Sequence, residues 1–270
     1  MGVVVSSGLT SSITMPYGYD IVVRYYSQSG RFRFDGTGTF SAKVLMVGGG
    51  AAGNVGGSGV SGAGGSGGTY TYWEEFQFTA GLQYSMQVWD TAFGPGNVVI
   101  AINPDSYPSP PYQELYVISP GGGAAGAAGV SGLNNGATGS VGFLSNITGA
   151  TISYGGGGGS GASIGIGNYG VARIQAGGKG NAFYGGVNNG NGGDAQRYSS
   201  NVIDTVNDGD SGTDLTGNGG GGGATVYARA AAFPNNFGWY NGDGGIGGRG
   251  ALIVRYAVTY AETCSFVLID

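Results

Sequence analysis

Four aspartates crowd the stretch DTVNDGDSGTD, at Asp204, Asp208, Asp210 and Asp214. Several carboxylate oxygens on a flexible loop suit a hard cation such as calcium, which makes Asp208, Asp210 and Asp214 the candidate metal ligands. The stretch lacks the third carboxylate before glycine and the distant Glu of an EF-hand loop, and a solvated Asp–Gly turn cluster accounts for the same residues. Glu74 and Glu75 are adjacent, so a strand sends them to opposite faces and denies them the approach of an acid–base pair. A solvated strand edge is the expectation there.

No histidine occurs in the chain, which removes the commonest general base and the commonest transition-metal ligand together. Cys264 is the single cysteine. It forms no intrachain disulfide, and with no base suited to activating it, it reads as a small buried hydrophobe. VGGGAAG after a strand-like run invites a dinucleotide-loop reading, but no helical pattern follows and the same pattern recurs along the chain. Asn146-Ile147-Thr148 fits a glycosylation acceptor, incidental without a secretory signal. A glycan depolymerase would need two carboxylates about 5 to 10 Å apart in a cleft. The expectation is a protein that is not an enzyme and takes no cofactor.

Binding chemistry is better supplied. Aromatic and Asn-rich insertions stand at SYPSPPYQ (Tyr107, Tyr112), GNAFYGGVNNGN (Phe183, Tyr184, Asn188, Asn189), AQRYSS (Arg197, Tyr198) and FPNNFGWYNGD (Phe233, Asn235, Asn236, Phe237, Trp239, Tyr240). Loops on rigid scaffolds carry binding residues, and Tyr with Asn joins flat apolar area to hydrogen-bonding groups. Tyr107, Tyr112, Tyr184, Asn188, Asn189, Tyr198, Asn236, Phe237, Trp239 and Tyr240 are therefore the candidate binding residues, suited to sugar or protein surfaces. The competing reading packs these aromatics over the ends of the scaffold or between subunits.

The scaffold must be built around glycine, which supplies 63 of 270 residues, against an ordinary share of about 7%. Apolar residues make up 40% and charged ones 9%, the reverse of the disordered balance. Strands are expected at Tyr19–Tyr26, Arg31–Phe34, Ser41–Val47, Thr69–Phe78, Leu82–Asp90, Asn97–Ile102, Leu115–Ile118, Ala251–Tyr260 and Cys264–Ile269. Alternation sets Tyr84, Met86 and Val88 on one face. No segment has capped helical periodicity. Glycine tracts run at Val47–Gly68, Pro120–Gly142, Tyr154–Gly167, Ala176–Gly193, Gly217–Gly223 and Gly242–Gly250.

Glycines in these tracts fall at every third position or in unbroken runs, as in GGGAAGNVGGSG and GGGAAGAAGVSG. A polyproline-II-type helix has three residues per turn and no internal hydrogen bonds, so its backbone groups point outward. Such helices bundle where glycine lets neighbours exchange N–H···O=C bonds, which answers the need of buried backbone for partners. A collagen triple helix is excluded by the broken period and the scarcity of proline; flat silk-like sheets are the other rival. The fold class expected is all-β, a β-sandwich framing a bundle of polyglycine-II helices, with essentially no α-helix.

The run FRFDGTGTFSAKVLMVGGGAAG, then GGTYTYWEEFQFTAGLQYSMQV, several GGGGGSG-like islands and GGDGGIGGRGALIVRY resemble the glycine-rich domains of bacteriophage tail-fibre and adhesin proteins. The resemblance covers roughly residues 31–256. It divides the chain into an N-terminal strand or attachment segment at 1–30, the glycine-rich domain at 31–257 and a C-terminal strand at 258–270. It implies a virion structural protein at the particle surface, a tail-fibre tip or receptor-binding adhesin whose loops touch a host-surface glycan or outer-membrane protein. It also implies other virion proteins as partners and a homo-oligomer, a trimer by analogy. The alternative is a capsid or tail decoration protein that self-assembles without a receptor. The net charge of −5, with ten Lys and Arg scattered singly, offers no basic stripe for nucleic acid. No apolar run of about 18 residues would insert in a membrane as a helix.

Overall fold

The computed structural model describes residues 9–15, 18–25, 30–35, 38–88, 98–102, 113–118, 128–166, 173–178, 180, 191–197, 203–229, 237–259 and 265–269. Among them the chain is all-β, with no helix. The strands are β1 (Leu9–Met15), β2 (Gly18–Tyr25), β3 (Gly30–Asp35), β4 (Thr39–Val47), β5 (Tyr70–Thr79), β6 (Gln83–Val88), β7 (Val98–Ile102) and β8 (Gln113–Ile118). Short strands follow: β9 (Leu133–Asn134), β10 (Phe143–Ser145), β11 (Ile152–Tyr154), β12 (Ser163–Ile164), β13 (Arg173–Gln175), β14 (Ala195–Arg197) and β15 (Ile203–Val206). The series closes with β16 (Thr225–Arg229), β17 (Phe237–Asn241), β18 (Ala251–Thr259) and β19 (Ser265–Ile269).

The long aromatic and β-branched strands make two five-stranded sheets, ordered β1-β2-β18-β4-β5 and β19-β3-β6-β7-β8. Phe34 of the second sheet reaches the rings of the first: its centroid lies 4.4 Å from Phe40, 5.0 Å from Phe78 and 5.2 Å from Tyr256. Tyr84 stands edge-on to Phe78 at 5.1 Å, and its hydroxyl accepts the Thr79 N–H at 2.8 Å. Edge-to-face rings of this kind add to the area they bury, and Phe34, Phe78 and Tyr84 are buried. Glu74 and Glu75 are exposed on β5, an edge strand, as expected from the sequence. Glu74 accepts from the Tyr72 hydroxyl at 3.0 Å and pairs with Lys43 at 2.6 Å.

Sheet register passes directly into the glycine segments. Val47 pairs with Ala251 and with Tyr70 in the β18-β4-β5 part of the first sheet. Beyond it, segment 48–56 keeps both neighbours. Gly50, Gly53 and Gly56 donate to Gly248, Gly245 and Gly242, while Gly48, Ala51 and Asn54 donate to Thr69, Ser66 and Ala63. Each series advances by three residues, where a strand would advance by two. The tract 47–68 is thus two antiparallel segments joined by a turn at 57–60, where Gly57 and Val60 exchange N–H···O=C bonds.

Segment 217–224 sits at the centre. It donates to 155–162 from Gly219 and Gly222, to 48–56 from Gly220 and Gly223, and to 207–213 from Gly221 and Ala224. It accepts from Gly62, Gly65 and Gly68 on one side, from Gly242, Gly245 and Gly248 on another, and from Gly193 on a third. Six neighbouring segments therefore surround it, some parallel and some antiparallel, and every residue of it is buried. Only glycine permits that approach: a Cβ on Gly220 or Gly222 would lie well under 3.0 Å from the carbonyl oxygen of Gly245 or Gly62.

Apolar plugs close both ends of the glycine layer. At the end facing the long sheets, Leu45, Val47, Ile147, Tyr154, Ala251 and Ile253 form one buried cluster, with Leu215 packed on it. Leu215 has φ 60, a left-handed conformation that costs a branched residue energy; the turn carrying it is tied by Thr216 Oγ1 donating to Thr213 O at 2.6 Å. At the far end Ala162, Ile164, Ala195, Ala224, Val226 and Ala228 form the second cluster, with Leu133, Val206 and Tyr240 against it. There segments 242–250, 217–224 and 155–162 continue as β17, β16 and β12 of the sheet β17-β16-β12-β9.

Candidate functional site

The far end carries an aromatic ladder on the hairpin pair β16–β17. Tyr227 pairs across with Trp239, and Arg229 with Phe237, so period-two alternation sets Tyr227, Phe237 and Trp239 on one face and Tyr240 on the other. Tyr227 stacks on Phe237 at 6.1 Å and 16°, and meets Trp239 edge-on at 5.1 Å. Phe237 is 41% exposed. Tyr240 turns inward instead, onto the apolar cluster of Ile164 and Val226.

The turn at 57–60 lies beside the Trp239 end of the ladder. Gly59 has φ +92, and the nearest atoms to a Cβ there would be Cζ2 and Cη2 of Trp239, at 3.6 and 3.8 Å. A bare glycine in this left-handed position keeps side-chain bulk off the indole edge. Thr225 Oγ1 lies 3.0 Å from Gly57 O and 2.6 Å from Asn241 Oδ1, which fixes the turn and the hairpin to each other.

The acidic stretch serves the lattice. Segment 207–213, read from sequence as an Asp–Gly turn cluster, is one more extended segment: Gly209 and Gly212 donate to Asp243 and Ile246 of 242–250. Asp208 Oδ1 accepts the N–H of Asp243 at 2.7 Å while Gly209 donates to the carbonyl of that same residue at 2.8 Å. The same two-point grip recurs twice. Asn218 Oδ1 takes Gly156 N at 2.7 Å and Gly219 N–H reaches Gly156 O at 2.8 Å; Asn135 and Gly136 hold Ala176 likewise at 3.0 and 2.9 Å. An Asx side chain followed by glycine thus seizes both backbone groups of one residue in the neighbouring segment, supplying an acceptor where the segment's own carbonyls leave an N–H over.

Asp210 accepts from Asn191 Nδ2 at 3.1 Å, and Asp214 forms a two-point ion pair with Arg249, Nε to Oδ1 at 2.7 Å and Nη2 to Oδ2. Asp208, Asp210 and Asp214 thus each face a separate donor, and among the described residues no group of three or more acidic, His or Cys side chains gathers to hold a metal. The Arg249 guanidinium holds the Asp214 carboxyl below its ordinary value of 3.8. A depressed folded-state value contributes stability above the unfolded value, lost as the pH falls through the folded one. Asp214→Asn should therefore lower the midpoint of thermal unfolding at neutral pH by the equivalent of under about 1 kcal/mol, since both groups are half exposed. The difference from the parent should vanish as the pH falls below 3.8, read as Tm against pH.

Of the sequence-selected binding residues, the structure brings Phe237, Trp239 and Tyr240 onto β17. Tyr107, Tyr112, Tyr184, Asn188, Asn189, Tyr198 and Asn236 lie outside the described residues, as does Cys264. Gly180 N donates to Asn191 Oδ1 at 3.0 Å. Tyr227 was not among the sequence candidates; in TVYAR it reads as an ordinary strand residue, and only its pairing with Trp239 gives it a place in the ladder. Asn146 of the Asn-Ile-Thr triplet is exposed in the turn between β10 and β11. Comparison with family models, with curated proteins and with solved structures finds no match to the chain.

Proposed function

We propose that the chain is a virion structural protein, a tail-fibre tip or receptor-binding adhesin, in which a β-sandwich frames a bundle of polyglycine-II helices and presents aromatic side chains to a host-surface glycan or outer-membrane protein. The three-residue advance of the hydrogen bonds along 48–56, 61–69, 217–224 and 242–250 supports the rod reading, because a polyproline-II-type helix repeats every three residues with about 3.1 Å rise. The Phe34, Phe40, Phe78 and Tyr256 rings meeting between the two large sheets support the sandwich.

One observation carries the functional reading: the molecule is polar along its rods. β1, β2, β18 and β19 lie in the large sheets at one end, and the ladder, with Phe237 exposed and Tyr227 and Trp239 half-buried, lies at the other. An attachment end and a contact end are what a tip protein needs. Flat rings on a rigid base fit sugar faces and apolar protein surfaces alike. No covalent step is involved.

The test is competition of soluble protein against adsorption of the parent particle to host cells. Phe237→Ser with Trp239→Ser should reduce competition by at least about tenfold, the scale of an interface aromatic anchor, with Tm held near that of the parent. Undiminished competition by the folded variant sinks the receptor role. If the variant instead loses self-association, the decoration reading replaces it.

A further inference from the structure

Asn–Gly is the dipeptide most prone to spontaneous cyclisation, because glycine has no side chain to hinder the approach of its nitrogen to the preceding amide. The glycine nitrogen loses its proton and bonds to Asn Cγ, and the side-chain nitrogen leaves as ammonia. Solvent water then opens the imide to aspartate or isoaspartate. A lattice that requires glycine at close contacts carries this hazard with it: four Asn–Gly pairs lie among the described residues, at Asn135, Asn191, Asn218 and Asn241.

In all four, both reacting groups are engaged elsewhere. The nucleophile is tied first: Gly136, Gly192, Gly219 and Gly242 donate their N–H to Ala176, Gly178, Gly156 and Ala224 at 2.8 to 2.9 Å. The side-chain carbonyl is tied as well. Asn135, Asn191 and Asn218 accept from Ala176, Gly180 and Gly156 at 3.0, 3.0 and 2.7 Å, and Asn241 Oδ1 lies 2.6 Å from Thr225 Oγ1. Cyclisation must break both hydrogen bonds and rotate the pair out of its segment.

We propose that the glycine lattice holds Asn135, Asn191, Asn218 and Asn241 as latent deamidation sites, which react only when a segment opens. Asn135 and Asn241 react ahead of the others, being exposed, and Asn218 last, being 1% exposed beneath six neighbours. The reaction is one-way. Isoaspartate at 241 adds a methylene to the main chain ahead of Gly242, Gly245 and Gly248, whose three-residue register on 217–224 it puts out of step. Each opening that is caught in this way is recorded permanently.

The experiment incubates the full chain in mild alkali, folded or in urea, beside synthetic peptides carrying the same four dipeptides, and maps aspartate and isoaspartate by mass spectrometry after digestion. The folded chain should react at least about 100-fold more slowly at Asn218 than the unfolded chain, the scale set by sub-global opening, with the exposed Asn135 and Asn241 leading. Amide hydrogen exchange at Gly136, Gly192, Gly219 and Gly242 should follow the same order. Equal rates in folded and urea-unfolded protein overturn the proposal, as does a folded-state order in which Asn218 leads.

Discussion

Gly220→Ala should abolish cooperative folding or cost more than about 4 kcal/mol, the range reserved for severe core damage, whereas Gly238→Ala should stay within about 0.5 kcal/mol of the parent. The two glycines differ in what a methyl group would meet. At Gly220 it would fall on the carbonyl of Gly245 and crowd that of Ile246; at Gly238 nothing lies within 4 Å. Neither has a positive φ, so the contrast isolates contact from backbone strain. Overpacking a side-chain core is relieved by rotamer shifts and usually costs about 1 to 3 kcal/mol. Here the obstacle is main chain, bonded in turn to its own neighbours, and it has nowhere to go. Far-ultraviolet circular dichroism against urea measures both variants, and a Gly220→Ala midpoint equal to that of Gly238→Ala would refute the close-packed reading of the centre.

Asn218→Ala should cost about 1 to 3 kcal/mol, the penalty for stranding a buried donor, while Asn135→Ala should cost less than about 0.5 kcal/mol. Both side chains make the same two-point grip with the glycine that follows. Asn218 is 1% exposed, so removing its Oδ1 leaves the Gly156 N–H with no water to replace it. Asn135 is exposed, and solvent takes over at Ala176. Urea midpoints at constant m-value give the comparison. Equal losses at the two sites would mean that the grip acts through chain geometry and not through the bond.

The long elements were legible because their signal is local. Runs such as VVRYY, KVLMV and ALIVRY state their preference in side chains that stiffen and fill a pleated surface, and β2, β4 and β18 lie there. β1, with Ser and Thr at its centre, gave no such signal and forms by pairing with β2. The strands of two or three residues, β9 to β14, have too few positions for any period to show; they exist because glycine segments deliver them beside a neighbour.

Segment 207–213 shows a different limit. Its glycines, Gly209 and Gly212, are spaced by three like those of the tracts, but four aspartates around them speak louder in sequence, and acidic residues near glycine are ordinary in turns. What fixes the segment is a line of free acceptors on 242–250, a property of another part of the chain. The grip of Asp208 on Asp243 was hidden for the same reason: its two halves are 35 residues apart. In the ladder, sequence supplied Phe237 and Trp239 as aromatic loop residues; the structure makes them strand residues and adds Tyr227 as their floor.

Segment 242–250 runs unbroken from β17, beside the ladder, to β18 in the large sheet. A pull on the ladder directed away from that sheet is therefore borne along the axis of this segment. Its hydrogen bonds to 217–224 and 48–56 stand across the axis, so they meet the load in shear and share it. A sideways pull on one edge would peel the same bonds apart singly. The molecule has a strong direction and a weak one, and the strong one joins its aromatic face to its large sheets.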